Sequence, residues 1–135
     1  TEIYTLSLHD ALPIYRLETG NIAFDCVIKN KRAIESLPSS MRDELEKILD
    51  ELVSNVLKHS GAAGVKLRMS IGPSGLSLRF SDDGKGFKPE NSRAGAGLDN
   101  IRFRIEALGG AMRIETTDGS GAKYRIMIPL PGMPA

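Results

Sequence analysis

Asp50-Glu51-Leu52-Val53-Ser54-Asn55-Val56-Leu57-Lys58-His59-Ser60-Gly61-Ala62 is the stretch on which the fold turns. Its apolar members, Leu52, Val53, Val56 and Leu57, continue a series that begins at Met41 and passes through Leu45, Ile48 and Leu49. Steps of three and four residues make this one long amphipathic helix. Ser40 stands where a capping hydroxyl would open it, and Ser60-Gly61 is its stop signal. Past Gly61 the period falls to two. Val65, Leu67, Met69 and Ile71 alternate with Lys66, Arg68 and Ser70, and after Gly72-Pro73-Ser74-Gly75 the alternation resumes at Leu76, Leu78 and Phe80, which predicts an antiparallel hairpin.

Working outward, Ile22, Phe24, Cys26 and Ile28 predict one half-buried strand before the helix. From Asp82 to Gly97 large apolar residues are scarce and Gly, Asp, Lys, Asn and Ser prevail, so a long loop is expected, of the kind that forms lids and binding loops. Leu98, Ile101, Ile105 and Leu108 mark a second amphipathic helix, closed by Gly109-Gly110. Met112, Ile114 and Thr116, a turn at Asp118-Gly119-Ser120-Gly121, and Tyr124, Ile126 and Ile128 predict a second hairpin. Strand, helix, hairpin, loop, helix, hairpin is the order of an α+β fold: a two-layer sandwich with helices on one face of a mixed, mostly antiparallel sheet.

The 135 residues, 41% hydrophobic and 26% charged, suffice for one domain with a core of its own. Eighteen basic against seventeen acidic residues leave a net charge of +1, too even for a domain devoted to capturing nucleic acid. Cys26 has no partner for a disulfide, and two histidines make no zinc cluster, so a reducing, cytoplasmic setting is expected. No apolar run is long enough to span a membrane, so no membrane contact by this chain is expected. Residues 1–14 fall outside the pattern and read as a non-native or disordered leader, 15–132 as the domain and 133–135 as a tail.

Three segments carry chemistry. On the first helix Glu51, Asn55 and Lys58 share one polar edge, with His59 beside them; such an edge is either a solvated face or a set able to hold hydrated Mg²⁺ and touch phosphate. Ser81-Asp82-Asp83-Gly84-Lys85-Gly86-Phe87 follows an apolar strand; it is either a tight Asp-Gly turn or a carboxylate placed to accept from an exocyclic amine, with Gly84 and Gly86 letting the backbone approach a flat ring. Gly95-Ala96-Gly97-Leu98 stands at the opening of the second helix, as a flexible loop or as unobstructed N–H groups for phosphate. Neither the Gly-Lys-Ser/Thr phosphate loop nor a dinucleotide fingerprint is present.

In this order, on these element types, the segments resemble the N box (Asp50 to Ala62), the first glycine box (Asp82 to Phe87) and the second glycine box (Gly95 to Leu98, then Asn100-Ile101-Arg102-Phe103-Arg104 and Leu108-Gly109-Gly110) of the ATP-binding catalytic domain of sensor histidine kinases, of the nitrate-sensor and lipid-sensor class. Their superfamily is shared with DNA gyrase, a major heat-shock chaperone and the MutL mismatch-repair proteins. The resemblance covers about Arg16 to Leu130 and implies a Bergerat-type ATP-binding sandwich. It implies that Asn55 coordinates Mg²⁺ with Glu51 in the metal and water shell, and that Lys58 and His59 approach the phosphates; Glu51, adjacent to the metal, is the candidate for polarising the nucleophile. The resemblance further implies that Asp82 binds the adenine amine, that Gly84 and Gly86 form the adenine end, and that Gly95, Gly97 and the Leu98 backbone belong to a lid over the triphosphate.

The implied cofactors are ATP and Mg²⁺, and the implied reaction is transfer of the γ-phosphoryl group to a histidine on a separate dimerisation domain, with a response regulator downstream. An anti-sigma-type serine kinase of the same superfamily, or a nucleotide-dependent binding module without turnover, are the rival readings. Two positions depart from the pattern: Ala96 stands where this class often has histidine, and Ala122 where threonine is usual. Leu8-His9-Asp10 is similar to the phosphoacceptor motif of one kinase class, yet Pro13 falls where the acceptor helix should continue.

Overall fold

The computed structural model describes residues 21–85, 92–116 and 121–130, with side chains for all of these except 59, 60 and 92–96. The expected leader, residues 1–14, the tail, residues 133–135, and Gly86 and Phe87 lie outside the described residues.

The apolar series from Met41 forms a helix, α2 (Ser39–Asn55), that buries Met41, Leu45, Ile48, Leu49, Leu52 and Val53 on one side. Pro38, not Ser40, occupies its N-cap, with no side-chain cap, so the expected role of Ser40 is corrected. Pro38 has the extended backbone of a cap, φ −52 and ψ 142, and its carbonyl accepts from the Met41 and Arg42 N–H groups at 3.0 Å, which places Ser40 inside the first turn. Beyond Asn55 the helix widens into a π-helical turn over Val56–Ser60, and Gly61, in the left-handed region at φ 63, ends it. Single π turns inside or at the end of α-helices collect at functional sites, because the extra residue re-aims the side chains beside it.

Strand β1 (Ala23–Ile28) precedes a five-residue helix, α1 (Lys31–Glu35), which the periodicity does not predict because only Ile34 is buried in it. Asn30 opens α1 from the left-handed region, its Nδ2 donating to the Ile71 carbonyl at 2.7 Å. After α2 come β2 (Gly64–Gly72) and β3 (Gly75–Asp82), then α3 (Ser92–Ala107), β4 (Ala111–Thr116) and β5 (Ala122–Ile128). The second helix therefore starts at Ser92, and the expected loop from Asp82 to Gly97 is shorter than the composition implied. Its C-terminus closes as expected: Gly109 at φ 77 lets the Gly110 N–H reach the Ile105 carbonyl at 2.9 Å and its own N–H reach that of Glu106 at 2.9 Å, a Schellman closure.

The sheet order is β1-β2-β3-β5-β4, with β1 parallel to β2 and every other pair antiparallel. The one parallel pair follows from the chain crossing over through α1 and α2 between its strands. Strand pleating sends Leu67, Met69, Leu78, Phe80, Tyr124 and Ile126 to one face, where all are at most 2% exposed, and the alternate residues to the other. Leu45, Ile48 and Leu52 of α2 and Ile101 and Ile105 of α3 cover the apolar face without any exposure. Truncating one such leucine to alanine costs a core about 2–5 kcal/mol. Cys26 is part of this layer, and burial pushes its thiol up to about 11, so it is an inert core residue.

Candidate functional site

The sheet face covered by the helices also carries the polar groups singled out in the sequence. Asp82, the last residue of β3, is half-buried. Its register partner on β5 is Ala122, and one step further into the sheet Phe80 pairs with Tyr124, their rings meeting edge-on at 6.1 Å. The Asp82 carboxylate accepts the Gly84 N–H at Oδ1, 2.8 Å away, so Asp82 shapes the turn that follows it. Burial pushes the Asp82 carboxyl above its ordinary range, an effect that the Gly84 N–H opposes and the neighbouring Asp83 charge reinforces. Backbone approaches closely here. Gly121 lies at φ 82, and a Cβ on it would collide with the Asp82 carbonyl oxygen.

Asn55 comes to the same place from the other layer. As the last residue of α2 it is half-buried, and its amide approaches the Tyr124 hydroxyl, countering the rise that burial and the Asp82 charge impose on that phenol. The approach falls short of a hydrogen bond: Asn55 Nδ2 is buried with no partner. A buried amide with unspent hydrogen-bonding capacity is rare in native interiors. Across from it stands Gly97 of α3. A Cβ at position 97 would lie 2.9 Å from Asn55 Oδ1, so a methyl there would push the end of the amide out of its present position.

Asn55, Asp82 and Gly97 therefore converge, with Tyr124 lying between the first two. Glu51, one helical turn before Asn55 and half-buried, shares its edge of α2, whereas Lys58, in the π-helical turn, is exposed. Gly84 is buried in the turn after Asp82. Gly95, Gly97 and Leu98 lie within α3 and not in a loop before it; Leu98 is buried at 5% exposure. The side chain of His59 and all of Gly86 lie outside the described residues.

Two residues at the site were not given roles by the sequence. Tyr124 reads there as one more apolar strand position, and only the packing of α2 on the sheet brings its hydroxyl under the influence of both Asn55 and Asp82. Asp83 accepts both the Ala63 and Gly64 N–H groups at 2.9 Å, tying the turn after β3 to the segment leaving the π-helical turn. Those N–H donors hold its carboxyl below the ordinary range. The signal for it was the Asp-Gly pair at 83 and 84, since aspartates before glycine commonly satisfy backbone N–H groups. Ala122 is buried at 3% exposure beside Asp82 and offers it no hydroxyl.

At the helix seam, Arg104 of α3 and Glu44 of α2 form an ion pair at 3.0 Å that fixes the second helix against the first. Phe103, the next residue back, is 73% exposed. Among the described residues no group of three His, Cys, Asp or Glu side chains could hold a metal by itself. A cation at this site would draw on Asn55, Glu51, water and ligand oxygens.

Residues 41–132 match the family model described as histidine kinase-, DNA gyrase B-, and HSP90-like ATPase. Sensor histidine kinase ComP of Bacillus subtilis is 33% identical over 132 residues, 95% of this chain and 17% of that protein. Among solved structures, the histidine kinase domain of the Erythrobacter litoralis EL346 blue-light activated histidine kinase superposes with a TM-score of 0.75 at 20% identity, over 96% of this chain and 63% of that one. Full-length ShkA in complex with AMPPNP superposes with a TM-score of 0.64 at 25% identity, over 85% of this chain and 27% of that one. The chain spans less than a third of the length of the curated relatives it matches.

Proposed function

Because the chain belongs to the histidine kinase-, DNA gyrase B- and HSP90-like ATPase family and is an ATP-binding domain of that kind, we propose that residues 15–132 form the catalytic domain of a two-component sensor histidine kinase. The carrying observation is the convergence of Asn55, Asp82 and Gly97 on the helix-covered side of the sheet.

In this reading Asp82 accepts a hydrogen bond from the exocyclic amine of adenine, and the Gly84 and Gly86 backbone lies along the ring. The triphosphate extends toward α2 and α3. There Lys58 and His59 approach its oxygens, and the Gly95, Gly97 and Leu98 backbone closes over it. Asn55 and Glu51 would hold Mg²⁺, which when bound neutralises triphosphate charge and aligns the terminal phosphate. Oδ1 is the end of the Asn55 amide that would face a cation, and the unpartnered Nδ2 has a hydrogen bond to give to a phosphate oxygen.

The acceptor is a histidine on a dimerisation domain. Its ring nitrogen forms the N–P bond as the bond from the γ-phosphorus to the bridging oxygen breaks, ADP leaves, and Glu51 takes the imidazole proton. The chain thus supplies positioning and charge. The exposed Phe103, on the helix that carries Gly97, supports a protein partner docking on this side. A response regulator receives the phosphoryl group next, and the domain works in the cytoplasm; among the described residues no helix is long and apolar enough to cross a membrane.

Incubation with γ-labelled ATP, Mg²⁺ and an acceptor hairpin tests this. Acid-labile, alkali-stable label on the hairpin is expected with the native chain and none with Asp82→Ala, whose ATP affinity should fall about a hundredfold by calorimetry. Acid-stable label on serine, or native affinity in Asp82→Ala, overturns the reading.

A further inference from the structure

The strands alternate, and the face turned away from the helices has a pattern of its own. There the register sets four arginines side by side across four adjacent strands: Arg68 pairs with Arg79, Arg79 with Arg125 and Arg125 with Arg113. Lys66 and Lys123 stand in the neighbouring row, separated by Ser81. Like charges directly opposite on adjacent strands repel. That repulsion is only partly answered: Asp25 Oδ2 accepts from Arg68 at 2.9 Å and Glu115 lies 3.8 Å from Arg125. Among the described residues the exposed Arg79 and Arg113 have no ion-pair partner. Two grooves follow the line, one of about 470 Å³ that includes Arg68, Arg79 and Arg125, and one of about 500 Å³ that includes Arg79, Arg113 and Met127. Both lie on the opposite face of the sheet from Asn55 and Asp82.

We propose that this open face docks an α-helix of a partner protein that carries a stripe of carboxylates. Strands about 4.8 Å apart spread the four arginines over about 14 Å. Carboxylates at three- and four-residue steps along a helix fall about 4.5, 10.5 and 15 Å from the first, in step with the line. An extended peptide, with one same-side residue every 6.6–6.8 Å or so, loses register within two residues. The two ends of the surface decide against long polyanions. In the neighbouring row the register sets Asp25 of β1 beside Lys66 and Glu115 of β4 beside Lys123, so a nucleic acid duplex or an anionic bilayer broad enough to cover both rows meets a carboxylate at each edge strand, where a helix lying along the arginines does not. Guanidinium forks suit carboxylates, and Met127, 40% exposed beside the line, gives an amphipathic helix an apolar contact.

The test titrates the chain with a helix-forming peptide whose glutamates form one stripe, and with a peptide of the same composition whose glutamates surround the helix. Amide chemical shifts and anisotropy are recorded at two salt concentrations. The striped peptide should bind about tenfold more tightly, weaken with salt, and shift resonances on β2, β3, β4 and β5. Arg79→Ser with Arg125→Ser should abolish that binding while ATP affinity stays at its native value and the melting temperature at or above it. Equal affinity for the two peptides overturns the proposal. So does tighter binding of duplex DNA or phosphatidylglycerol vesicles to the same face, or self-association of the chain that the two substitutions remove.

Discussion

The two ends of the candidate site are built differently. The Asp82 end is made of strand and turn backbone, with its hydrogen bonds already closed: Gly84 N–H on Asp82, Ala63 and Gly64 N–H on Asp83, and Gly121 pressed against the Asp82 carbonyl. The Asn55 end is made where one helix widens and another passes, and it keeps a buried amide nitrogen without a partner. One end is therefore preformed. The other holds an unmet demand that a ligand could meet, and removing that demand would stabilise the free protein. Such a contrast suits a site that selects a base by rigid backbone and grips a charged chain by groups free to respond.

Three changes would break or sharpen this contrast. The largest effect is expected at Gly121. Gly121→Ala combines a left-handed backbone with a collision against Asp82 backbone, which cannot yield cheaply, so urea unfolding should show a loss of about 3 kcal/mol. A loss under about 1 kcal/mol would mean that this end is not rigid.

Gly97→Ala is next, and its neighbour is different in kind. The added methyl would meet only the end of the Asn55 side chain, 2.9 Å away, which can turn aside. Stability should change little, while affinity for Mg²⁺-ATP falls about tenfold and affinity for adenosine holds. Calorimetry with both ligands reads the split, and equal losses would erase the distinction between the ends.

The smallest effect is in pH. Burial raises the Asp82 carboxyl above 3.8, so the charged form that accepts from an amine is lost at a higher pH than for an ordinary aspartate. Asp25, held low by Arg68, and Asp83, held low by backbone N–H groups, contribute stability above 3.8 that is lost only as pH falls through their lowered values. Acidification should therefore weaken ATP binding several-fold before it unfolds the chain, as paired calorimetry and circular dichroism would show. Unfolding at the higher pH would reverse that order.

What the sequence makes legible follows from where the information is local. The α2 stripe, both hairpins and the Gly109-Gly110 closure repeat over enough residues to be read from periodicity, and the three motif segments can be read because each is contiguous. Helix α1 is too short to show a period, and its one buried residue, Ile34, says nothing alone. The start of α3 at Ser92 escaped because Ser92 to Gly97 carries no apolar stripe to mark it. Asn55 meeting Gly97 is a product of helix packing, Tyr124 lying between Asn55 and Asp82 of helix packing on the sheet, and the line of four arginines of strand order and register. Each depends on at least one contact between residues about 40 or more positions apart, such as Arg79 with Arg125, and none follows from any one segment.

The widened turn at Val56–Ser60 gives the chain one residue more than a regular helix would use to reach Gly61. It acts as a slack link. Deleting a single residue there would restore ordinary winding and keep β2 in place, yet turn the side chains between Asn55 and Gly61 to new bearings. Chain length in this link is thus a dial for the bearing of Lys58 that leaves the sheet untouched.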